Sequence, residues 1–288
     1  MKTEMKLRIA IQKSGRLNDD SIRMLKECGI EFDNGLNKLK ASAFNFPLEV
    51  LFLRDDDIPE YVEQGVADIG IVGENVLVET GAKVKRIEKL GYGKCRLSIA
   101  VPKDVKYSGI KSLQGKRIAT TYSKVLQKYL TKNKVKAEIH EISGSVEIAT
   151  GIGLAEAICD IVSSGSTLFT NGLKEVETVM KSEAVLIGNS KLNAAQLRIV
   201  ERLLFRIRAS RTAKRNKYLL LNAPDNKLDI ICKLIPGMKS PTVLPLQQKG
   251  WSSVHSVIDE EKFWDIIEQL RDAGAEGILV VPIEKMVV

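Results

Sequence analysis

The residues best suited to chemistry cluster between Glu141 and Leu168. Glu141-Ile142-Ser143-Gly144-Ser145-Val146-Glu147 is followed by Gly153-Leu154-Ala155-Glu156-Ala157-Ile158-Cys159-Asp160-Ile161-Val162, then by Ser163-Ser164-Gly165-Ser166-Thr167-Leu168. The last stretch offers hydroxyls and exposed backbone N–H groups just before a helix, which is how a loop cradles a phosphate without a lysine. Glu156 and Asp160 accept hydrogen bonds only, when ionised, and suit the vicinal hydroxyls of a sugar beside that phosphate. A phosphosugar therefore fits better than bare phosphate. The competing reading of the same turn is a plain helix cap.

Stepping outward, short β-rich runs alternate with amphipathic stretches, the pattern of α/β layers on a largely parallel sheet. Strands are expected at 7–11, 48–53, 66–72, 97–101, 117–120 and 137–142, with a helix over 123–132. Asn18 or Asp19 caps a helix that turns Ile22, Leu25 and Cys28 inward and stops at Gly29. Asp57 caps a short helix with Pro59 in its first turn. Gly65-Val66-Ala67-Asp68-Ile69 and Ala157-Ile158-Cys159-Asp160-Ile161 each enter a strand through an aspartate. Two similar lobes facing a cleft would produce this echo, and so would chance. Asp68 itself reads equally well as a turn former. A helix over 191–215 merges into the basic run Arg206, Arg208, Arg211, Lys214, Arg215 and Lys217. From 218 onward the order becomes β-α-β-β-α-β, that of a ferredoxin-like module.

The chain has 288 residues, room for two or three domains, and is 44% hydrophobic and 28% charged, which excludes disordered, collagenous and coiled-coil classes. Its 44 basic against 36 acidic residues leave +8, favouring an anionic partner. The basic run lacks interleaved aromatics for base stacking, so nucleic acid is not expected. No apolar run approaches the ~18–20 residues of a membrane span. Arg8 interrupts the first apolar stretch, so no signal peptide is expected either, and the location read is cytoplasmic. Cys28, Cys95, Cys159 and Cys232 form no C-x-x-C pair, which points to neither zinc nor disulfides. His140 and His255 read as structural or surface residues.

The phosphate segment resembles the phosphoribosyl-diphosphate signature of the ATP phosphoribosyltransferases, which open histidine biosynthesis. The likeness spans nearly the whole chain. Leu7-Arg8-Ile9-Ala10-Ile11-Gln12-Lys13-Ser14-Gly15-Arg16-Leu17 is similar to the family's opening strand and loop. Arg54-Asp55-Asp56-Asp57-Ile58-Pro59 and Asp68-Ile69-Gly70-Ile71-Val72-Gly73-Glu74-Asn75 are similar to its middle motifs. Ser240-Pro241-Thr242 and Pro282-Ile283-Glu284-Lys285-Met286 fall in its C-terminal domain.

The resemblance implies two periplasmic-binding-protein-like α/β lobes forming a catalytic cleft: lobe I from 1–95 and 185–212, lobe II from 96–184. A C-terminal ferredoxin-like, ACT-like βαββαβ regulatory domain would follow at 213–288. The implied reaction moves phosphoribose from 5-phosphoribosyl 1-diphosphate to N1 of ATP, with Mg2+ required and pyrophosphate released. By the same resemblance Ser163, Ser164, Gly165, Ser166 and Thr167 hold the 5-phosphate, and Glu156 and Asp160 the ribose hydroxyls. Lys13, Arg16 and Arg54 neutralise pyrophosphate or the ATP phosphates, while Asp68, Gly70 and Gly73 border the nucleotide pocket. Close relatives carry aspartate where Glu156 stands and Pro-Arg where Thr150-Gly151 stands. The long C-terminal region implies histidine as feedback effector at Asn222, Met238 and Thr242, and a homo-hexamer exchanging with dimers. The alternative is a cytosolic two-lobed solute-binding protein for a phosphorylated ligand, without chemistry.

Overall fold

The structure, a computed structural model, describes residues 5–33 and 39–288. Two compact units result, one of Met1–Arg23 and Ile30–Val200, the other of Met24–Gly29 and Glu201–Val288. In the first, the chain lays down β1 (Leu7–Gln12), α1 (Arg16–Glu27, counted with the second unit from Met24 on), β2 (Lys40–Ser42), β3 (Leu48–Leu53), α2 (Ile58–Glu63), β4 (Ile69–Gly73), α3 (Glu74–Thr80) and β5 (Lys85–Lys89). There follow β6 (Cys95–Pro102), β7 (Arg117–Thr120), α4 (Ser123–Lys132), β8 (Glu138–Glu141), β9 (Ala157–Val162), α5 (Ser166–Thr170) and β10 (Leu173–Ser182). Then β11 (Ala184–Gly188) returns to the first sheet.

The first sheet runs β2-β3-β1-β4-β11-β5 and the second β10-β6-β9-β7-β8. In the first, β1 lies parallel between β3 and β4; in the second, β7 lies parallel between β8 and β9. The same winding thus occurs twice. Leu7, Ile9 and Ile11 on one face of β1 and Ala10 on the other are fully buried, because a central parallel strand is covered on both faces. Each lobe gathers the carboxyl ends of three parallel strands on one rim, where ligands of open α/β sheets bind.

The opposite rims share a latch. Asp68, just before β4, accepts the Arg8 backbone N–H at 2.7 Å and its guanidinium at 2.9 and 3.2 Å, and donates its own N–H to the Arg8 carbonyl at 2.9 Å. Glu156, just before β9, accepts the Arg117 N–H at 2.8 Å and its guanidinium at 2.5 and 3.1 Å, and returns its N–H to the Arg117 carbonyl at 3.0 Å. The structural counterpart of Asp68 is therefore Glu156, four residues before the Asp160 that the sequence echo aligns with it.

Several expectations shift. The strand expected at 66–72 begins at Ile69, because Asp68 is spent on Arg8. Helix α1 begins at Arg16, and the Asn18 amide donates to the Gln12 carbonyl at 2.5 Å instead of capping from outside. Asp57 precedes α2 with Pro59 in the first turn, but its side chain makes no capping hydrogen bond. The sheets are mixed: β11 is antiparallel to β4 and β5, and β6 to β9 and β10. Strand β10 escapes the sequence pattern because it alternates Lys, Glu and Thr on a half-exposed sheet edge.

The second unit takes up α6 (Ala194–Arg215) from Glu201 onward, then β12 (Asn216–Pro224), α7 (Leu228–Leu234), β13 (Thr242–Pro245), β14 (Trp251–Asp259), α8 (Glu260–Asp272) and β15 (Glu276–Pro282). The antiparallel order β13-β14-β12-β15 is ferredoxin-like. Leu219, Leu221 and Val254 pack one sheet face against Ile231 of α7 and Leu270 of α8. Among the described residues no helix is long and apolar enough to cross a membrane.

Gly70 shows how tightly α2 lies on β4. A Cβ there would sit 2.7 Å from Ile58 Cγ2 and 3.0 Å from Val62 Cγ2. Gly70→Ala should therefore cost about 1–3 kcal/mol of stability by overpacking, read from urea unfolding midpoints; an unchanged midpoint would show that α2 gives way.

Candidate active site

A cleft of about 280 Å³ opens at the carboxyl end of β9, lined by Arg16, Glu147, Asp160 and residues 161–168. Its floor is fixed from below. Val162 and Leu168 are buried in the second sheet's core with Val146 and Ala149, which anchor the turn carrying Glu147. Gly165 adopts φ +84°, a left-handed conformation that lets the chain reverse into α5. Ser163, Ser164, Ser166 and Thr167 are exposed, and the first turn of α5 has no intrahelical acceptors for its N–H groups. The Ser164 and Ser166 hydroxyls hydrogen-bond to each other at 3.0 Å, which leaves one of the two protons to point into the concavity. Arg96 holds the start of the loop: it donates to the Ser163 carbonyl at 3.2 Å while Glu175 grips its other nitrogens at 2.5 Å.

Asp160 is half-buried at the loop's base and accepts the Ile161 N–H at 2.7 Å. Burial pushes its carboxyl above the ordinary aspartate range, the Ile161 N–H opposes this, and the Glu147 charge adds to the rise. Glu147 stood in the quoted segment without a role, and the three-residue turn Val146–Ile148 is what places it in the cleft.

Arg16 brings the first sheet to this cleft from the start of α1. Lys13 and Arg54 follow β1 and β3, whose ends pair Gln12 with Leu53, so the two exposed cations emerge side by side on the carboxyl rim. The Lys13 N–H fastens this corner to the Leu53 carbonyl at 2.7 Å. Gly73 ends β4 on the same rim, and a Cβ there would meet Asn75 Oδ1 at 2.5 Å.

Three expected site residues lie away from this cleft. Glu156 lies at the amino end of β9, roughly 20 Å of extended chain from Ser163, and is bound by Arg117 instead of facing the cleft. Asp68 is 4% exposed and engaged by Arg8 and by the Gln196 amide at 2.8 Å. Gly70 sits inside β4 against α2. None of the three lines the cleft beside the loop. Glu156 serves the Arg117 latch.

In the second unit, the sheet face away from α7 and α8 carries Asn222 beside Ser253 and Thr242 beside His255. His255 bridges the Tyr218 hydroxyl at 2.9 Å and the Ser253 hydroxyl at 3.0 Å. Met238 lies half-exposed in the loop before β13. Among the described residues no group of three or more His, Cys, Asp or Glu is placed to hold a metal.

The ATP phosphoribosyltransferase family profile matches residues 54–209, and that of the HisG C-terminal domain matches 213–285. The chain is 61% identical over 281 residues to the ATP phosphoribosyltransferase of Cytophaga hutchinsonii, covering 98% of each. It is 56% identical to that of Bacteroides thetaiotaomicron, over 98% of this chain and all of the other. Among solved structures, a chain of the ATP phosphoribosyl transferase (HisG:HisZ) complex from Thermotoga maritima superposes with a TM-score of 0.60 at 28% identity, over 70% of this chain and 96% of that one. A periplasmic sulfonate-binding protein of Methylobacillus flagellatus shares the fold at 16% identity and a TM-score of 0.50, over 71% of this chain and 67% of its own.

The Arg117 guanidinium holds the Glu156 carboxyl well below the ordinary 4.5, at about 2. Its stabilising effect is thus complete above about pH 4.5 and disappears as pH falls through about 2. Urea midpoints of the parent should exceed those of Glu156→Gln at neutral pH, and the two should converge toward pH 2. A gap that stays constant down to pH 2 would remove the ion pair as its cause.

Proposed function

This chain belongs to the ATP phosphoribosyltransferase family, and we propose from that premise how its residues share the reaction. The activity is transfer of phosphoribose from 5-phosphoribosyl 1-diphosphate to ATP. The acceptor atom in this reading is N1 of adenine, which already carries a lone pair at neutral pH and needs little activation by a base. The barrier lies at the anomeric carbon, where positive charge develops as pyrophosphate leaves with negative charge.

The observation that supports the assignment most is the convergence of Arg16, Glu147, Asp160 and the 163–167 loop on one cleft. The loop's N–H groups and the hydroxyls of Ser163, Ser164, Ser166 and Thr167 take the 5-phosphate. Asp160 and Glu147, in place of Glu156, accept from the ribose hydroxyls. Arg16, with Lys13 and Arg54 on the facing rim, neutralises the departing pyrophosphate and the ATP phosphates, a stabilisation that grows as charge separates. The family generally uses a divalent metal, and the Mg2+ favoured here takes oxygen ligands. Asp160 and Glu147 are carboxylates of the right hardness to share it with substrate oxygens. When bound it supplies further neutralisation of the leaving group.

The two sheets of the first unit act as lobes I and II of the catalytic cleft, and the ferredoxin-like module acts as the regulatory domain. Histidine is its effector, bound on the open sheet face at Asn222, Thr242 and Met238, and the working assembly is a cytoplasmic homo-hexamer exchanging with dimers. Binding without chemistry is the lesser reading; it would leave ATP and phosphoribosyl diphosphate unchanged when both are supplied with Mg2+.

Thr167→Ala should raise KM for phosphoribosyl diphosphate about tenfold, the loss of one hydrogen bond to a charged group, with kcat little changed. An unaltered KM in a steady-state ultraviolet assay would remove Thr167 from the phosphate site. Thr242→Ala should weaken histidine binding about tenfold by calorimetry on the full chain, and undiminished affinity would relocate the effector.

A further inference from the structure

The first unit's chain passes between its two sheets at 90–94 and again at Glu183. A further link crosses the gap without a covalent connection. Helix α4 has no capping side chain of its own: Tyr122 occupies its N-cap position and makes no such bond. The cap comes from the other lobe. Glu79, next to the end of α3, accepts the Lys124 N–H at 2.9 Å through Oε1 and the Val125 N–H at 2.9 Å through Oε2. The Ser123 hydroxyl stands 3.4 Å from Oε1. A carboxylate taking two first-turn N–H groups also complements the positive end of the helix.

A second bond runs alongside. The Asn75 amide donates to the Tyr122 hydroxyl at 3.0 Å. Asn75 is 4% exposed and is locked by Ser182, which accepts its backbone N–H at 3.0 Å and donates to its Oδ1 at 2.7 Å. Gly73 leaves the room that Asn75 Oδ1 occupies, which gives that glycine a reason independent of any nucleotide. Both helices start at the cleft rims, α3 directly after β4 and α4 shortly after β7. Tyr122 also feels the charges of Asp160 on its own lobe and of Asp55 and Asp56 on the facing one, as befits a residue between the rims.

We propose that Glu79 is a positioning residue for the transfer reaction: by capping α4 across the lobe boundary, with Asn75–Tyr122 beside it, it sets the distance between the phosphate loop of one lobe and the cations of the other. The inference rests on the reaction proposed above. The 163–167 loop of lobe II holds the 5-phosphate while Arg16, Lys13 and Arg54 of lobe I act on the pyrophosphate, so releasing the latch leaves the loop's grip intact. The charge-neutralising groups of lobe I then sample wrong distances, and the barrier rises.

The test combines kinetics with a distance measurement on the full chain. Glu79→Ala should lower kcat about tenfold or more, the effect of misplacing groups by an ångström, while the calorimetric Kd for phosphoribosyl diphosphate rises by a smaller factor than kcat falls. Glu79→Gln, which keeps one acceptor oxygen, should recover part of kcat. Spin labels on non-natural residues at exposed Lys83 and Lys132 should show a broader distance distribution in Glu79→Ala than in the parent. Tyr122→Phe removes a single hydroxyl and should move kcat and distances in the same direction by less, which decides the matter if Glu79→Ala does not fold. Unchanged distances, or broadened distances with kcat within about twofold of the parent, would overturn the proposal. A broadened distribution in a protein whose parent form has no transferase activity would instead overturn the reaction and leave the latch standing.

Discussion

The pairing of an arginine at the start of a central strand with an acid at the start of its neighbour governs the catalytic unit. Asp68 and Glu156 each accept from both the backbone and the side chain of that arginine and return an N–H to its carbonyl. Such closed pairing fixes the register of β4 on β1 and of β9 on β7. A one-residue slip would turn the buried faces of these strands outward. With the amino ends tied, the carboxyl ends arrive level, and the candidate site residues hang from them: Lys13, Arg54 and Gly73 in one lobe, the Asp160 loop in the other.

The two rims carry opposite characters. Lobe II offers hydroxyls, backbone N–H groups and the carboxylates Asp160 and Glu147, a set suited to the phosphosugar of the proposed reaction. Lobe I offers cations on exposed loops. This division suits the proposed reaction, in which the sugar becomes positive and the leaving group negative. The excess of 8 positive charges over the whole chain fits two polyanionic substrates, yet only a few of those cations stand at the cleft.

Antiparallel strands do the joining. Strand β11 leaves β10 after one residue and inserts between β4 and β5, so the second lobe is closed into the first by hydrogen-bonded backbone on both sides. In the ferredoxin-like module, antiparallel pairing does something else: it leaves one face uncovered by α7 and α8, where Asn222, Ser253, His255 and Thr242 form a continuous polar row. A sheet covered on both sides would leave no such face for the proposed effector.

The α/β character, the βαββαβ module and the serine-glycine turn into α5 were all legible from the chain alone, because hydrophobic period and small-residue turns are local properties. The same holds for the carboxylate at Asp160, which lies beside its loop in sequence. What the sequence could not separate was one acid from another. Glu156, Asp68 and Asp160 share charge and flanking pattern, and only the strand direction sends the first two to the closed rims and the third to the open one. Glu147 and Glu79 were hidden for the complementary reason: their partners are Asp160, 13 residues on, and the 124–125 backbone, 45 and 46 residues on. Local composition determined which groups are present; the parallel winding of two sheets decided which of them face the same space.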